Sequence, residues 1–332
     1  MRKSLAIFLW AAFAVFAADA RAVTIAWSPV GNSGNSPDTT VMATDGTTGY
    51  GSVAYNYNIG TYDVTNSQYA EFLNAKNPTG ADPLGLYNSN MSSAIYFGGI
   101  SYNAAAANGS KYTVISGDGN HPVNNVTWYD TLRFSNWLNN GQGNSSTETG
   151  AYTLLGGTPT PSNANTITRN TGATVFLPNE NEWYKAAFYN SSTGSYFQYP
   201  TSSNTQPTRS SPTALPNSAN YFSGGSLGNL TDVGAYTGTT SPSGAFDMGG
   251  DIVQWNETLI RGGPDRGLRD ASFEDNWNVL LSSYRNWQSP GFENAFIGFR
   301  VASIPTGYIP EPSTGVMAVI AIAMMWWWRK RF

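Results

Sequence analysis

The densest concentration of groups that could do chemistry is the stretch from Ser243 to Asn256, which reads SGAFDMGGDIVQWN. It combines glycines with oxygen-bearing side chains, among them Asp247, Asp251 and Gln254. Closely spaced glycines allow the backbone to adopt left-handed conformations and to turn its carbonyl oxygens inward. Carboxylate, amide and carbonyl oxygens are the ligands of hard cations such as Ca²⁺. The stretch therefore predicts an irregular turn that wraps around a bound group, and its oxygen atoms are suited to ligating a cation.

The amino-acid composition excludes most other kinds of metal or catalytic site. The 332-residue chain contains no cysteine and a single histidine, His121. This inventory excludes disulfides, thiolate nucleophiles, zinc sites built from Cys or several His, and histidine-rich iron or copper centres. Only 11% of the residues are charged and the net charge is -4, so the chain lacks the basic footprint of a nucleic-acid-binding protein. Oxygen-ligand metals such as calcium remain.

Two carboxylates resemble a catalytic pair at first sight. Glu180 and Glu182 have the residue types of a glycosidase site, but both fall in the first turn of a predicted helix. Carboxylates there stabilise the helix dipole, and we interpret the two as capping residues. His121 stands before Pro122 at a loop boundary, has no cysteine partner, and is interpreted as structural.

The C-terminal third carries arginines and aromatic residues that allow two interpretations. In a chain this poor in charge, arginines in strand-like blocks are expected to be semi-buried, bidentate partners of carboxylates rather than substrate clamps. These arginines are Arg269, Arg285 and Arg300. The nearby aromatic residues either line a groove or pack in the core, and the sequence leaves both readings open. They are Trp277, Trp287, Phe292 and Phe296.

Three helices are predicted to position these groups. Apolar residues recur at helical spacing over residues 62–75, over residues 126–138, and from residue 179 onward. Each segment starts at a residue whose side chain can accept a free backbone N–H of the first turn. These N-caps are Thr65, Thr127 and Asn179, the last with Glu182 at capping-box spacing.

The remaining segments predict little regular structure. Residues 23–27 (VTIAW) are a short strand candidate. Residues 190–245 are rich in Ser, Thr, Gly, Asn and Pro, but tyrosine and phenylalanine recur through them. Disordered segments are poor in aromatic residues, so we predict long ordered loops pinned by aromatic side chains.

Six blocks in order along the chain resemble the formylglycine-generating enzyme (sulfatase-modifying factor) family. They are residues 59–72 (IGTYDVTNSQYAEF), 122–134 (PVNNVTWYDTLRF), 177–183 (LPNENEW), 247–255 (DMGGDIVQW), 266–269 (RGLR) and 297–301 (IGFRV). The resemblance covers most of the chain between its two ends. It implies a single α+β domain of irregular, C-type-lectin-like fold, low in regular secondary structure and often stabilised by calcium.

The family's copper chemistry requires residues that this chain lacks. The resemblance implies an enzyme that oxidises a sulfatase cysteine to formylglycine, using oxygen and a copper ion held by two cysteines after a Gly-Gly-Ser block. Here that block reads Asp270-Ala271-Ser272, and the cysteine positions fall near Asp275 and near Leu280 or Leu281. Neither a carboxylate nor a leucine supplies the soft thiolate that holds copper(I). We therefore expect neither copper nor the oxidase activity.

The resemblance also implies calcium ligands. One family site uses two side chains and two backbone carbonyls, which fall here on the side chains of Asp247 and Gln254 and the carbonyls of Gly250 and Ile252. Gln254 replaces the usual glutamate and so removes one negative charge, which Asp247 can restore. A second family site begins at Asn220, with Tyr221 offering a carbonyl. A glycine-rich turn without metal is the alternative.

The N-terminus predicts secretion. Arg2 and Lys3 precede an apolar run over residues 5–18, and residues 20–22 (ARA) have the small-x-small pattern of a signal peptidase site. Residues 1–22 are therefore a predicted signal peptide. The domain follows over residues 23–303, with a linker over residues 304–309.

The C-terminus predicts sorting to the cell envelope. Pro310, Glu311 and Pro312 lead into an apolar run over residues 316–328 that a basic cluster closes. In this order, the three parts of segment 310–332 resemble the PEP-CTERM sorting signal of Gram-negative bacteria. The resemblance implies processing by an exosortase, contact with the membrane through this segment, and delivery to the envelope, surface or extracellular matrix. An ordinary C-terminal membrane anchor is the alternative.

Two functions follow from these observations. The first is a noncatalytic, exported binding or structural module whose cleft recognises a peptide or glycan of the envelope or matrix. The second is an enzyme of altered, cysteine-independent and possibly hydrolytic chemistry on the same scaffold. That enzyme would use Ser272, Glu274 or Asp275 around the former copper position.

Overall fold

Three helices begin where the sequence predicts them. The computed structural model describes residues 22–222, 228–260 and 262–305, and in it α1 spans Asn66–Lys76, α2 Trp128–Asn139 and α3 Glu180–Phe188. All three open on a capping box, in which the N-cap and N3 side chains each bond the other's backbone N–H. The N-caps are Thr65, Thr127 and Asn179, as predicted.

Fourteen short strands occur in the described residues. They are β1 Trp27–Val30, β2 Tyr57–Gly60, β3 Ile100–Tyr102, β4 Tyr112–Val114, β5 Val175–Phe176, β6 Tyr189–Asn190, β7 Ser195–Tyr196, β8 Thr208–Arg209, β9 Ser218–Ala219, β10 Val253–Leu259, β11 Arg266–Arg269, β12 Asn286–Gln288, β13 Ile297–Gly298 and β14 Ala302–Ser303. Few strands exceed four residues, so loops carry much of the chain. This is the mixed, irregular α+β architecture that the sequence predicts.

Two four-stranded sheets organise the domain. In the first, the order is β1-β2-β14-β5 and all neighbours are antiparallel, so the last strand of the domain lies between two early ones. In the second, the order is β12-β11-β10-β13, with β10 and β13 parallel. Strands β3 and β4, β6 and β7, and β8 and β9 form three separate pairs. The second sheet places β10, which continues the glycine-rich stretch, between β11 and β13.

The strand predicted over residues 23–27 is wrong in position. The ladder with β2 starts only at Trp27, which pairs with Gly60. At Val23 the side chain of Gln142 replaces a strand partner, because its Oε1 accepts the Val23 N–H at 2.6 Å and its Nε2 donates to the Val23 carbonyl at 2.8 Å. A side-chain amide satisfies this backbone, so no strand is needed there.

Aromatic side chains join the helices to the sheets. Phe72 of α1 lies 5.3 Å from Phe134 and 5.4 Å from Trp137 of α2, measured between ring centroids. Phe134 in turn meets Phe299 edge-on at 5.4 Å. These rings are buried, and each buried ring stabilises the fold by roughly 1.5 to 3 kcal/mol. The core therefore sits between α1, α2 and the C-terminal strands.

The segment over residues 190–245 is ordered where it is described, as predicted. Tyr199, Tyr221 and Tyr236 are buried. The Tyr221 hydroxyl donates to the Pro207 carbonyl at 2.7 Å, and the Tyr236 hydroxyl donates to the Ser210 carbonyl at 2.8 Å. Each ring thus fixes a loop by both its apolar face and its polar tip.

The two predicted targeting segments lie outside the described residues. These are the signal peptide, apart from residue 22, and the sorting signal over residues 310–332, together with residues 306–309 of the linker. Within the described ranges, no helix has the length and apolar character needed to cross a membrane.

Candidate functional site

The stretch from Ser243 to Asn256 forms an irregular turn that runs into β10. Its backbone has positive φ angles at Asp247 (52°), Gly250 (95°) and Asp251 (75°). At Gly250 a side chain would also collide, because a Cβ atom would lie 2.4 Å from the carbonyl oxygen of Asn220. Glycine adopts such angles freely, and aspartate tolerates them better than most residues. The irregular turn predicted from the glycine spacing is confirmed.

Gln254 does not offer an oxygen to a cation. The side chain is fully buried, and its Oε1 accepts hydrogen bonds from Trp183 Nε1 and from Arg300 Nε, each at 2.7 Å. Its Nε2 donates to the Asp247 carbonyl at 3.0 Å and to Asp270 Oδ2 at 3.3 Å. An amide oxygen has two lone pairs, and both are used here. The predicted fourth ligand of the first calcium position therefore does not fit a metal.

Two of the other three groups of that position, the Asp247 side chain and the Gly250 carbonyl, are also engaged. Asp247 Oδ2 accepts the Gly234 N–H at 2.6 Å, and burial raises the pKa of this carboxyl to about 6. The Gly250 carbonyl accepts the Ile252 N–H at 3.1 Å. The Ile252 side chain packs in a small apolar cluster with Leu230 and Phe273. The structure brings all four predicted positions together around one turn, held by hydrogen bonds within the protein.

The second predicted calcium position contains buried oxygen atoms that accept no hydrogen bond within the described residues. Asn220 Nδ2 donates to Asp251 Oδ1 at 2.8 Å, and the Thr231 N–H donates to the same oxygen at 2.9 Å. Among the described residues, Asp251 Oδ2 and Thr231 Oγ1 are buried without a hydrogen-bond partner. The Tyr221 carbonyl accepts Arg209 Nε at 2.9 Å and keeps one lone pair. Buried oxygens without donors fit a hard cation, so this position suits calcium better than the first.

A cavity lies against the second position. It has a volume of about 180 Å³ and is lined by Asn220, Thr231, Tyr236 and Ser210, among others. The Ser210 hydroxyl is a further buried oxygen without a partner in the described chain. Burial also raises the pKa of Asp251 well above its ordinary value. The sequence suggested Asn220 and Tyr221 for this position and Asp251 only as an oxygen-bearing residue of the glycine-rich stretch, and it gave no signal for Thr231.

The positions of the two family cysteines are part of the scaffold here. Asp275 Oδ2 accepts both the N–H of Ser272, at 2.9 Å, and its hydroxyl, at 2.7 Å. The Asp275 carbonyl accepts the Phe222 N–H at 2.7 Å. Leu280 ends a 3₁₀ turn and is buried in an apolar cluster, and Leu281 packs against that cluster. One position thus closes a turn and the other fills an apolar contact.

The hydrolytic alternative finds a serine and an acid in contact but no histidine beside them. The Ser272 hydroxyl is buried and faces the carboxylate of Asp275. His121 lies instead between Asp118 Oδ1, at 3.6 Å, and Asp232 Oδ1, at 3.7 Å. Within the described ranges, no group of three or more His, Asp or Glu side chains is placed to hold a metal ion.

The arginines predicted to pair with carboxylates do so. Arg269 donates from Nε to Glu180 Oε1 at 2.7 Å, and its Nη2 bonds the same oxygen. Arg285 donates from two nitrogens to Asp45 Oδ2. Arg300 contacts Asp63 through Nη2 alone, at 3.0 Å, and it also donates to Gln254 from Nε and to backbone carbonyls from Nη1 and Nη2. The prediction of structural carboxylate partners is confirmed, but none of the three pairs uses both carboxylate oxygens, and Arg269 and Arg300 are fully buried rather than semi-buried.

Glu180 and Glu182 do more than cap α3. Glu180 Oε2 also accepts Asn256 Nδ2 at 2.9 Å. Glu182 closes the capping box and is paired with Arg169, whose two terminal nitrogens each lie 2.7 Å from one of its oxygens. Sequence reasoning missed Arg169, because its partner lies in a different segment and no local spacing connects them. The two acids are thus structural.

A cleft that the sequence did not reveal opens beside the start of α2. Its volume is about 410 Å³, and we call it the Tyr87–Tyr129 cleft. It is lined by Leu84, Gly85, Tyr87, Asn88, Ser89, Thr127, Tyr129, Asp130, Pro159, Thr160, Gly291 and Glu293. The lining combines two aromatic rings, several hydroxyls and two carboxyl groups, which is the mixture that small polar ligands require. The local sequence signal was the Tyr129-Asp130 pair in the first turn of α2.

The two acids of the cleft are held in place by neighbours. Asp130 Oδ2 accepts the N–H and the hydroxyl of Thr127, at 2.9 and 2.7 Å. Glu293 Oε1 accepts Asn88 Nδ2 at 2.6 Å. Burial raises the pKa of Asp130 to about 7 and also raises that of Glu293, and each acid is close enough to others to reinforce the effect.

The sequence left open whether four aromatic residues line a groove or pack in the core, and the structure places them in different environments. Phe296 is half-buried and packs against a small apolar cluster, 5.5 Å from Phe273 between ring centroids. Trp277 and Phe292 are more than a third exposed. None of the four lines the Tyr87–Tyr129 cleft. The core reading is correct for Phe296, and the exposed rings lie elsewhere on the surface.

Known protein structures share this fold. The solved structure of CarF superposes with a TM-score of 0.51 at 19% identity, covering 85% of this chain and 99% of that one. Treponema denticola variable protein 1 superposes with a TM-score of 0.52 at 19% identity, covering 84% and 95% of the two chains. At such identity the likeness concerns the fold alone.

Sequence comparison extends the likeness to characterised enzymes. The hercynine oxygenase of Mycobacterium tuberculosis (strain ATCC 25618 / H37Rv) is 32% identical over 144 residues, which are 38% of this chain and 32% of the relative. The hercynine oxygenase of Mycolicibacterium thermoresistibile is 29% identical over 148 residues, 38% of this chain and 31% of the relative. The match therefore spans about a third of these relatives' length.

Family membership rests on a longer match. Residues 35–304 match the sulfatase-modifying factor enzyme 1-like domain, which takes in all six sequence blocks, both sheets apart from β1, and the turn around Gln254. The chain therefore belongs to the family of the sulfatase-modifying factor enzyme 1-like domain.

Proposed function

We propose that this protein is an exported, noncatalytic binding module of the cell envelope or extracellular matrix, which holds a glycan or peptide in the Tyr87–Tyr129 cleft. The observation that carries the proposal is this cleft. Its volume of about 410 Å³ suits a disaccharide or a short peptide segment, and its lining supplies both stacking surfaces and hydrogen-bonding groups.

The absence of cysteine supports a noncatalytic role. A chain without any thiol cannot bind copper(I) through thiolates at any position. The residues at the two cysteine positions, Asp275 and Leu281, stabilise a turn and an apolar cluster. Formylglycine-forming oxidation therefore has no site on this chain.

The terminal segments support export. The basic and apolar residues before position 22 suit signal peptidase, and the segment after position 309 suits an exosortase. These two processing enzymes are the proposed partners, with the membrane contacted through the C-terminal segment at least transiently. Fractionation of cells that express the full-length chain tests this localisation, and its recovery in the cytosol would contradict it.

Ligand binding is tested by titrating the purified full-length chain with a panel of envelope polysaccharide fragments and peptides, using calorimetry. The variants Tyr87→Ala and Glu293→Gln should weaken binding about tenfold or more, since each removes a cleft group while Glu293→Gln preserves the contact with Asn88. The exposed aromatic Trp277 is the matched control, and Trp277→Ala should leave binding unchanged. Binding that is lost in Trp277→Ala but kept in the cleft variants would refute the proposed site.

An enzymatic role is the second candidate. It is favoured by the likeness to hercynine oxygenases over about 38% of this chain, and on the same scaffold Ser272, Glu274 and Asp275 could support a hydrolytic reaction instead. Incubation of the protein in air with hercynine and a panel of divalent metals tests the first reaction, and a broad ester and glycoside panel tests the second. Turnover that disappears in Asp275→Ala would replace the binding proposal, and so would copper-dependent oxidation of a cysteine-containing sulfatase peptide.

Calcium belongs to the proposal at its second position. The groups that would hold it are Asp251 Oδ2, Thr231 Oγ1, Asn220 and the Tyr221 carbonyl, where it would neutralise a buried carboxylate and tie loops together. A chelator should then lower the thermal midpoint of the wild-type protein by several degrees and leave that of Asp251→Asn unchanged. Identical melting curves of the wild-type protein with calcium and with chelator would rule the ion out.

A further inference from the structure

Hydrogen bonds among protein groups close the turn before β10. Gln254 Nε2 donates to the Asp247 carbonyl and to Asp270 Oδ2, at 3.0 and 3.3 Å. Asp270 Oδ1 accepts the N–H groups of Gly250 and Ala271, each at 2.7 Å. The amide of Gln254 and the carboxylate of Asp270 thus connect the turn, the start of β10 and the end of β11 in one network.

The neighbours determine the orientation of the Gln254 amide. Trp183 Nε1 and Arg300 Nε are donors only, and both point at the same terminal atom of Gln254, at 2.7 Å. That atom must therefore be the oxygen, and the NH₂ group must face Asp247 and Asp270. A glutamate at this position would keep one oxygen on Trp183 and Arg300 and turn its second oxygen toward the turn. In this chain an N–H donor occupies that place, and an N–H donor repels a cation.

Asp270 is the second residue of this network that differs from the family sequence. Where the family block reads Gly-Gly-Ser, this chain has Asp270-Ala271-Ser272, and Asp270 adopts a φ of 76°. A left-handed backbone is unfavourable for a residue with a side chain, so the position suits glycine better. The carboxylate of Asp270 offsets this cost because it receives three donors from the turn. A glycine there would leave those donors without an acceptor.

We propose that Gln254 and Asp270 together replace a metal ion, so that this turn is closed by protein hydrogen bonds alone. The Gln254 amide N–H binds the Asp247 carbonyl, beside Arg300 Nη2, at the place where a glutamate would turn an oxygen toward an ion. The carboxyl group of Asp270 supplies the acceptor oxygens for the N–H groups of Gly250, Ala271 and Gln254. The inference concerns the turn only and does not depend on the ligand of the cleft or on calcium at Asn220.

The test reinstates the metal site in the purified full-length chain. Gln254→Glu with Asp270→Gly restores a carboxylate oxygen and removes the competing one. Calorimetric titration with Ca²⁺ should find one more bound ion per chain in the double variant than in the wild-type protein. Calcium should also raise the thermal midpoint of the double variant by several degrees more than it raises that of the wild-type protein.

Two further variants keep the proposal falsifiable if the double variant folds poorly. Gln254→Ala should bind the same number of calcium ions as the wild-type protein, because the wild-type turn holds none. Gln254→Glu alone should be less stable than wild type in chelator, since its new oxygen faces the Asp247 carbonyl and the Asp270 carboxylate. Loss of a bound calcium ion in Gln254→Ala would overturn the proposal, and so would a well-folded double variant that gains none.

Discussion

At the scale of single residues, this protein has few charged side chains and buries several of them. Arg269, Arg300 and Glu182 are almost inaccessible, and each contacts an opposite charge. A buried ion pair contributes little net stability, but its unpaired half is costly because no water remains to solvate it. These pairs therefore determine which loops pack together, and they add little to the free energy of unfolding.

The pair of Arg269 and Glu180 gives a direct test of this view. Arg269→Met leaves Glu180 buried without its cation and also frees the carbonyls of Ser282 and Tyr284. We expect a loss of about 3 to 5 kcal/mol in the free energy of unfolding, measured by urea titration. The double variant with Glu180→Gln should lose less than the sum of the two single variants. Strict additivity would show that the pair does not act as a unit.

Asp130 gives a pH-dependent test at the same scale. Burial raises the pKa of Asp130 to about 7 from an ordinary 3.8, so the folded chain holds a proton here that the unfolded chain releases. The contribution to stability is therefore full below about pH 4 and is lost as the pH rises through about 7. Asp130→Asn holds no titrating proton and can still bond Thr127. The unfolding free energy of wild type minus that of this variant should fall by on the order of 1 to 4 kcal/mol between pH 4 and pH 8. A constant difference would contradict the raised pKa.

At the scale of elements, the helices are determined locally and the strands are not. Each helix starts at its own capping box, formed by residues three apart in sequence. Most strands have two to four residues, and in the first sheet the partners come from distant parts of the chain, with β14 paired to both β2 and β5. Such strands persist because the loops around them are pinned by buried tyrosines and arginine pairs.

The cap of α1 tests the local part of this statement. Thr65→Ala removes the oxygen that accepts the Gln68 N–H and opens one half of the capping box. The expected cost is about 1 kcal/mol in unfolding free energy, measured by urea titration. Ser67→Ala is the matched control, since Ser67 is exposed and caps nothing, and it should cost less than half as much. Equal losses in both variants would show that the cap contributes nothing specific.

At the scale of the whole molecule, the C-terminal strand of the domain pairs with a strand near its N-terminus. Strand β14 lies between β2 and β5, pairing Ala302 with both Ile59 and Phe176. The first sheet is therefore complete only when the last strand has arrived. The family match ends at residue 304, immediately after β14.

Truncation tests this arrangement. Removal of residues 302–332 deletes β14 and leaves two strands without their shared partner, so we expect loss of the cooperative thermal transition. Removal of residues 306–332 keeps β14 and should leave the transition in place. Circular dichroism melting curves of the two truncated chains distinguish the cases. A cooperative transition in the shorter chain would show that β14 is dispensable.

The sequence by itself determined what depends on neighbours along the chain or on composition. The helix starts at Thr65, Thr127 and Asn179 follow from hydrogen bonds across three residues. The irregular turn at Gly250 follows from glycine spacing, and the lack of thiolate chemistry follows from the absence of cysteine. None of these conclusions requires knowing which distant segments meet.

The tertiary structure decided what depends on partners from elsewhere. The Tyr87–Tyr129 cleft gathers residues from four segments, 84–89, 127–130, 159–160 and 291–293, and no local pattern joins them. Gln254 reads as a weakened calcium ligand in the sequence, but Trp183 and Arg300 occupy its oxygen from other elements. The capacity of a side chain to bind an ion depends on which donors reach it first, and only the folded chain brings those donors to it.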